Sequence, residues 1–362
     1  MNMRVLVVTH FGSPYQIELF NRLTKLGACE LEVVYLHQFL YDRRWKQKQI
    51  VHEHVFLEDK PACFAEVRSR VLRSDLVIFN YYAENPAQVL LNLRAAKDSP
   101  WCFWGERPGF RKPEFLGLVS RRWRLRKLHG SKAPIWGIGR FAVERYKNEF
   151  GLRRAYYNMP YFSDLERFKR VAASASKTAQ RRVFLFSGAL IHRKGVDLLA
   201  RAFVRLAKEL PNVFLRVVGD GPLKKLIMDE LDVVRDRVEF IGFTDWEELP
   251  SYYSEADFLC VPSRYDGWGM VVPEGLAAGL PVIGTNQTGA AVEFLKSERN
   301  GWLIPAGSSD ALLSAMLEAA QLPADSYEQL AACAGASVSG HSLGDGARRF
   351  VNYARDSIAT WQ

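Results

Sequence analysis

Short apolar runs alternate along the whole chain with stretches in which apolar residues recur every three or four positions. Runs of four to six apolar residues are typical of buried strands, and the longer spacing is typical of amphipathic helices. In the first half the runs predict strands at Arg4–Thr9, Leu31–Leu36, Leu76–Asn80, Trp101–Trp104 and Ile135–Ile138. Helices are predicted between them at Gln16–Leu26, Pro86–Lys97 and Phe141–Phe150.

The second half repeats this alternation. Strands are predicted at Val183–Ser187, Val213–Val218, Val238–Ile241, Phe258–Val261 and Pro281–Gly284. Helices are predicted at Gly195–Glu209, Leu223–Asp229, Glu247–Ser254 and Glu274–Ala278. Alternating strands and helices in both halves predict an α/β protein with two doubly wound parallel sheets.

The length of 362 residues suits two domains. Small polar residues without periodicity between positions 171 and 180 indicate a linker. We therefore predict a Rossmann-like domain over 1–165, a linker over 166–182 and a second Rossmann-like domain over 183–345. Residues 346–362 are predicted to form a helix that packs back towards the N-terminal domain.

The composition, 48% hydrophobic and 25% charged, is that of a soluble globular protein. No apolar stretch is long enough to span a bilayer, and the N-terminal apolar run predicts a first strand instead of a signal peptide. The five cysteines are scattered without metal-ligand spacing, which predicts free thiols in a reducing compartment. We therefore expect a cytoplasmic protein.

The strongest chemical signal follows the predicted strand Phe258–Val261. Asp266 opens a Gly-Trp-Gly turn, and Glu274 stands eight positions later at the start of a helix of small residues. Carboxylates accept hydrogen bonds from vicinal hydroxyls, and the free amides of a helix N-terminus attract phosphate. The combination suits a phosphorylated sugar. The alternative is a plain strand–turn–helix in which Glu274 is only a first-turn charge.

Other candidate loops also follow predicted strands, where open α/β sheets bind their ligands. Arg193 and Lys194 precede a helix, as a pair of cations suited to a diphosphate or simply solvated. A P-loop is excluded by the glycine spacing. The Gly-Asp-Gly-Pro turn at 219–222 is by itself structural. Gly12 lets the backbone approach a ligand or only makes a turn.

Together these motifs resemble those of the retaining glycosyltransferases of the GT-B fold, family 4 type. That family carries Glu-Gly-Phe-Gly and then Glu-Ala-Met-Ala-x-Gly-x-Pro-Val, where this chain has Asp-Gly-Trp-Gly at 266–269 and Glu-Gly-Leu-Ala-Ala-Gly-Leu-Pro-Val at 274–282. Lys194-Gly195, the Gly-Asp-Gly-Pro turn and Gly242-Phe243 are further landmarks in register. The resemblance covers 181–305 well and the first domain loosely. It implies two Rossmann-like domains facing a central cleft.

The resemblance also implies a C-terminal site for a nucleotide-diphosphate sugar and an N-terminal domain that holds the acceptor. Glu274 would bind ribose hydroxyls, Asp266 the transferred sugar, and Lys194 the leaving diphosphate. Phe243 would lie near the base, and the amides of 269–271 would meet the distal phosphate. The implied donor-binding residues are Gly12, Arg193, Lys194, Phe243, Asp266, Gly267, Trp268, Gly269, Met270, Val271 and Glu274.

Three departures from the family pattern stand out. Ala189 replaces the usual arginine, and Arg193 could supply the missing cation. Asp266 replaces a glutamate, which draws the carboxylate back by one methylene and predicts a different sugar or pose. Where the family has a histidine, the nearest polar residue is Glu106, which could orient or deprotonate an acceptor hydroxyl; a local pair of Glu106 with Arg107 is the alternative. The expected catalytic residues are Glu106, Asp266 and Lys194.

The chain contains no Asp-x-Asp, so the metal-bound diphosphate of the other large glycosyltransferase fold is not expected. We predict no metal ligands and no cofactor beyond the nucleotide sugar. Lys194, Arg193 and helix amides would stabilise the leaving group. The family retains anomeric configuration by front-face attack, so no nucleophilic side chain is predicted.

The formal charge of +9 is concentrated, because residues 101–182 carry +14 and the rest of the chain −5. Ser120–His129 mixes five cations with Trp and Leu, which suits anionic lipid headgroups. The predicted patch comprises Arg121, Arg122, Trp123, Arg124, Arg126 and Lys127. The alternative is a solvated helix with its aromatic residue on the core side. Nucleic acid is not an expected partner, since no known binding module surrounds the patch.

The expected function is transfer of a sugar to a saccharide or lipid-linked acceptor in cell-envelope polysaccharide synthesis, such as that of lipopolysaccharide. The patch would place the protein at the inner face of the cell membrane. One alternative is a GT-B sugar-nucleotide epimerase. Another is a nucleotide-sugar or saccharide binding protein without turnover, for which Ala189 and the missing histidine argue.

Overall fold

A computed structural model of the protein describes residues 2–38, 48–57, 61–109, 114–172 and 181–361. Its contacts divide the chain into two compact units. Unit 1 comprises residues 1–164 and 341–362, and unit 2 comprises residues 165–340. The prediction of an α/β protein with two doubly wound parallel sheets is confirmed.

The sheet of unit 1 has seven parallel strands in the order β3-β2-β1-β4-β5-β6-β7. The strands are β1 (Arg4–Thr9), β2 (Glu30–Tyr35), β3 (Glu53–Phe56), β4 (Leu76–Phe79), β5 (Trp101–Gly105), β6 (Ile135–Gly137) and β7 (Tyr156–Asn158). The helices are α1 (Pro14–Leu26), α2 (Pro61–Arg73), α3 (Asn85–Ala96), α4 (Glu114–Arg124), α5 (Arg126–His129), α6 (Arg140–Phe150) and, near the C-terminus, α15 (Leu343–Ala359). The strand order reverses between β1 and β4, which makes this the topological switch point of unit 1.

The sheet of unit 2 has six parallel strands in the order β10-β9-β8-β11-β12-β13. The strands are β8 (Arg182–Ser187), β9 (Val213–Val218), β10 (Val238–Gly242), β11 (Phe258–Val261), β12 (Val282–Thr285) and β13 (Gly301–Ile304). The helices are α7 (Glu166–Ala172), α8 (Val196–Glu209), α9 (Lys224–Leu231), α10 (Leu249–Ser254), α11 (Val271–Ala277), α12 (Gly289–Phe294), α13 (Ser309–Ala320) and α14 (Ala324–Ser337). Here the switch point lies between β8 and β11.

Every predicted strand is present, with ends shifted by at most one residue. The strands β3, β7 and β13, each at an edge of its sheet, were not predicted. In β3 and β7 no residue is fully buried, and the sequence there carries no long run of apolar residues. The helix predicted to start at Glu274 begins at Val271 instead, so that this glutamate lies inside the first turn.

The ends of unit 2 differ from the sequence-based boundaries. The predicted linker 166–182 begins with α7, which packs within unit 2 against α10 and α11; residues 173–180 lie outside the described part of the chain. Unit 1 resumes at His341 and not at residue 346, because the His341 ring stacks on Phe162 at 4.2 Å and its Nε2 lies 2.9 Å from the Tyr161 carbonyl. Helix α15 packs against α1 in unit 1.

Candidate functional site

The loops that follow β8 and β11 meet at the switch point of unit 2. Gly195, with φ of +71°, closes the β8 loop, and a Cβ there would lie 2.0 Å from the Pro262 carbonyl oxygen. The Arg264 amide donates to the Arg193 carbonyl at 2.9 Å. Only glycine permits this approach, so the Lys-Gly pair seen in the sequence has a structural reason.

Asp266 lies at this junction with two cations. Its carboxylate is buried, Lys194 Nζ lies 2.5 Å from Oδ2, and an Nη of Arg193 lies 3.6 Å from Oδ1. Burial by itself raises the pKa of Asp266, but Lys194 and Arg193 outweigh it and hold the pKa below its ordinary value. Asp266 is therefore an ionised carboxylate. Its single negative charge neutralises only one of the two neighbouring positive charges.

A second ion pair, which the sequence analysis did not find, braces this loop. Arg264 binds Asp197 through two Nη–Oδ contacts of 2.6 and 2.7 Å and also donates to the His192 carbonyl at 2.8 Å. Asp197 stands in the first turn of α8, so the pair ties the β11 loop to the start of that helix. The partners are 67 positions apart, and neither belongs to a recognisable motif.

Glu274 is buried on α11 beside a tyrosine and an arginine. The Tyr253 hydroxyl donates to Oε2 at 3.5 Å, and an Nη of Arg167 lies 3.9 Å from Oε1. Burial, followed by the charge of Glu274, raises the pKa of Tyr253 well above its ordinary value, so its hydroxyl remains a donor. Glu274 therefore lies in the first turn of α11, as the alternative interpretation of the sequence expected, but there it belongs to a buried polar cluster with Tyr253 and Arg167.

Arg167 is a further candidate residue that sequence reasoning missed. Its guanidinium lies 4.7 Å from the Trp246 ring centroid and 5.1 Å from that of Phe168. Two aromatic faces thus hold a cation beside Glu274. The signal was hidden because Arg167 falls in the segment predicted as a linker.

The Gly-Trp-Gly turn contributes backbone and core packing. The Trp268 indole is buried and packs edge-on against Phe294 at 5.8 Å, so this side chain belongs to the core of unit 2. Gly269 has φ of +91°, and a Cβ there would lie 2.8 Å from the Thr288 side chain. Gly267 closely approaches Gly289, where a Cβ would lie 2.5 Å from the Gly267 carbonyl oxygen. The predicted donor contacts at Trp268 can therefore come only from its backbone.

Phe243 follows β10 at the carboxyl edge of the same sheet. This residue is 42% exposed, unlike most of the aromatic residues that the structure describes. Met270 and Val271 connect Asp266 to Glu274 and form the start of α11. The structure thus brings the predicted donor-binding residues of unit 2 to one sheet edge.

In unit 1, Glu106 follows β5 and is exposed, while its carbonyl accepts from the Tyr146 hydroxyl at 2.5 Å. Burial and then the charge of Glu106 raise the pKa of Tyr161. Arg107 is buried, and its guanidinium lies 4.2 Å from the centroid of the Phe141 ring. This contact was not part of the alternative in which Glu106 and Arg107 form a local pair. A Cβ at Gly12 would lie 3.0 Å from Ile17 Cδ1, so local packing already favours glycine there.

The basic segment forms α4 and α5. Arg121 does not fit the predicted patch, because its guanidinium contacts the buried Glu149 carboxylate at 2.9–3.2 Å. Trp123 is 68% exposed, which excludes the alternative with the aromatic residue on the core side. Arg126 lies 5.5 Å from the Trp123 centroid, and Lys127 is exposed. Among the described helices, none combines the length and the apolar character needed to cross a membrane.

Comparison with known proteins shows which proteins this chain resembles. Residues 169–334 match the family model described as glycosyl transferases group 1. An uncharacterized glycosyltransferase of Methanocaldococcus jannaschii is 35% identical over 128 residues, covering 34% of this chain and 32% of that protein. The GDP-mannose-dependent alpha-(1-6)-phosphatidylinositol monomannoside mannosyltransferase of Mycolicibacterium smegmatis is 28% identical over 214 residues, covering 55% of this chain and 56% of that protein. The matches thus span from about a third to about half of these relatives' length.

Among solved structures, HepE of Anabaena in complex with UDP has a TM-score of 0.77 at 16% identity, covering 98% of this chain and 100% of that one. At such identity the likeness shows the fold. The chain therefore has the GT-B fold, and residues 169–334, nearly all of unit 2, match the family model of the glycosyl transferases group 1. The predicted resemblance to glycosyltransferases of the GT-B fold is confirmed, whereas the retaining mechanism and the family 4 type stay predictions.

Proposed function

We propose that the protein transfers a sugar from a nucleotide-diphosphate sugar to a saccharide or lipid-linked acceptor, with retention of anomeric configuration, in cell-envelope polysaccharide synthesis. The observation that carries this proposal is the cluster of Lys194, Arg193 and Asp266 at the switch point of unit 2. A nearby buried Glu274 on α11 completes a set of groups suited to both ends of such a donor. The family match of this unit supports the class of reaction.

Each group has a chemical task in this proposal. Lys194 and Arg193 stabilise the charge that develops on the departing diphosphate. Asp266, held ionised, accepts hydrogen bonds from hydroxyls of the transferred sugar, while Glu274 accepts from the ribose hydroxyls. Tyr253 and Arg167 hold the Glu274 carboxylate in place. No metal ligand is invoked in these steps.

Glu106 is the proposed group that orients or deprotonates the acceptor hydroxyl. Its side chain is exposed at the carboxyl end of β5, where ligands of an open α/β sheet bind. Its test is Glu106→Gln, which we expect to reduce transfer to the acceptor without weakening binding of the donor. Equal losses in both would assign Glu106 to the structure of unit 1 and contradict this role.

A test of the reaction uses an acceptor mixture from membrane lipid extracts and a panel of UDP, GDP, ADP and dTDP sugars. Thermal shift selects the donor, since a ligand that binds only the folded state raises apparent stability. We expect nucleoside diphosphate to be released only when acceptor is present, and the new linkage to retain the donor's anomeric configuration. An isomerised donor without acceptor would indicate an epimerase. Donor binding without release would indicate a binding protein.

We also propose that the protein works as a peripheral protein on the inner, cytoplasmic face of the cell membrane. Arg122, Trp123, Arg126 and Lys127 on α4 and α5 are exposed together with Leu116, which mixes cations with apolar side chains. Such surfaces bind anionic headgroups, with about 1 kcal/mol per nearby cation. The name of the mannosyltransferase relative includes a lipid, phosphatidylinositol monomannoside. Vesicle flotation is the test: recovery with anionic vesicles that Trp123→Ala reduces supports contact, and equal recovery with neutral vesicles contradicts it.

A further inference from the structure

A second cluster of chemically active side chains occupies the switch point of unit 1. His10 Nε2 lies 2.9 Å from Glu84 Oε1, and His37 Nε2 lies 2.7 Å from Glu84 Oε2. One potential ligand atom from each residue falls within 4.8 Å of the others. The proposed transfer reaction does not use this cluster.

Three strand ends build the cluster. His10 directly follows β1, His37 follows β2 by two positions, and Glu84 stands between β4 and α3. The hydrogen bonding between β1 and β2 continues beyond the ends of these strands, since the His37 amide donates to the His10 carbonyl at 2.9 Å. The order β2-β1-β4 therefore brings together residues that are 27 and 47 positions apart in the chain.

Neighbouring groups fix the orientation of these side chains. Tyr81 stacks on the His10 ring at 4.2 Å, with 14° between the planes, and its hydroxyl donates to Glu84 Oε1 at 3.2 Å. The two imidazoles meet edge to face at 5.1 Å. A metal-binding imidazole or carboxylate needs such outer partners to hold its ring or oxygen in position.

The donor set matches a particular class of ligand. Two imidazole nitrogens and one carboxylate oxygen are typical of Zn²⁺ sites that keep a fourth position open. Tetrahedral coordination at 2.0–2.1 Å would place the donor atoms about 3.3 Å apart. The two nitrogen–oxygen distances here, 2.9 and 2.7 Å, are a little shorter and end on different oxygens of Glu84, so the side chains have to move outward to bring one oxygen and both nitrogens around the ion. Exposed side-chain fractions of 26, 29 and 34% for His10, His37 and Glu84 leave a path for entry.

We propose that His10, His37 and Glu84 form a binding site for a divalent transition metal ion, and that Zn²⁺ is the first candidate for this ion. Both imidazoles bind through Nε2 after losing any proton held there, and Glu84 binds as a carboxylate. The fourth position takes a water or another oxygen ligand. This proposal replaces the sequence-based expectation of no metal ligands, which considered only short spacings between ligand residues.

The test measures Zn²⁺ binding to chelator-treated full-length protein by competition with a chromophoric chelator. We expect one equivalent to bind, and Glu84→Gln or His37→Gln each to weaken binding by about tenfold or more. His54→Gln is the matched control, since His54 lies in the same unit and bonds to the carbonyl of His52 at 3.0 Å. This variant should bind Zn²⁺ as the wild type does.

Co²⁺ provides a second measurement that does not depend on how well a variant folds. Wild-type protein should give the visible d–d bands of a nitrogen and oxygen donor set, without the intense charge-transfer bands of thiolate ligands. Absence of stoichiometric Zn²⁺ binding by the wild type, thiolate bands in the Co²⁺ spectrum, or unchanged affinity in folded Glu84→Gln would each overturn the proposal. Thermal denaturation of each variant establishes that it is folded.

Discussion

The switch points of the two units share one topology and differ in their chemistry. In unit 2, the loops after β8 and β11 place Lys194 and Arg193 around Asp266. In unit 1, the loops after β1, β2 and β4 place two imidazoles around Glu84. Each site thus has one carboxylate and two nitrogen-bearing partners at the carboxyl edge of a parallel sheet.

The difference lies in the kind of nitrogen. Lys and Arg carry permanent charge near neutral pH, so the unit 2 cluster has excess positive charge and suits a diphosphate. A histidine ring nitrogen offers a lone pair once it has lost its proton, so the unit 1 cluster suits a metal ion. Topology therefore determines where a ligand binds, while side-chain chemistry determines which ligand it is.

Lys194→Ala would have the largest effect on this comparison. The change removes the closest cation to Asp266 and leaves a buried carboxylate with less compensation. We expect kcat/KM for transfer to fall by about 10²–10³-fold, the range seen when a preorganised electrostatic group is lost. Lys225→Ala, at an exposed lysine of α9, is the control and should retain wild-type activity. If Lys194→Ala retained activity within twofold of wild type, the unit 2 cluster would not be the diphosphate site that distinguishes it from the unit 1 cluster.

Arg193→Ala should have a smaller effect. Its nearest Nη lies 3.6 Å from Asp266, farther than Lys194 Nζ, and 35% of its side chain is exposed. We expect about a tenfold loss of kcat/KM, equivalent to about 1.4 kcal/mol. Arg201→Ala, an exposed helix arginine paired with Asp197, provides the comparison. Equal kinetics in both variants would mean that Arg193 does not replace the arginine missing at Ala189.

Lowering the pH should destabilise unit 1 through its buried histidine His341. Burial lowers the pKa of His341 in unit 1 to about 4, whereas the unfolded value is near 6.5. The unfolded chain therefore binds this proton first, and stability is lost as the pH falls from about 6.5 to about 4, by about 3 kcal/mol at most. His341→Gln should melt with a shallower dependence on pH over this window. His192→Gln, at an exposed position of unit 2, is the control substitution; an unchanged slope in His341→Gln would contradict the assignment.

The smallest expected effects test whether the two clusters are independent. Glu84→Gln should leave nucleotide-sugar affinity within about twofold, and Lys194→Ala should leave Zn²⁺ affinity unchanged, because the two clusters belong to different units and are built from different residues. Isothermal titration of both variants with both ligands measures the four affinities. A large loss of nucleotide-sugar affinity in Glu84→Gln would contradict this independence and would assign both clusters to a single site.

Much of this architecture could be predicted because buried parallel strands stand out in the sequence as apolar runs, but these runs do not give the order of the strands in each sheet. The motif around Asp266 and Glu274 could be recognised because the chemistry of one crevice lies within nine consecutive positions. Arg167 could not, since its role depends on a fold that brings it to Trp246 and Glu274.

The unit 1 cluster was equally hidden from sequence. His10, His37 and Glu84 are isolated polar residues after separate strands, and only their strand order makes them neighbours. Arg121 was misassigned to a surface patch for the same reason, because Glu149 pairs with it from another helix. Long-range pairing of single side chains leaves no local pattern to read.

The most direct test of the central claim separates the two ends of the donor. Glu274→Gln should weaken binding of the preferred nucleoside diphosphate by about tenfold or more, since a charged acceptor for the ribose hydroxyls is lost. Glu318→Gln, at an exposed position of α13, is the matched control. Inorganic pyrophosphate, which has no ribose, should bind wild type and Glu274→Gln equally. Titration calorimetry that shows wild-type affinity of Glu274→Gln for the nucleoside diphosphate would contradict a donor site in unit 2.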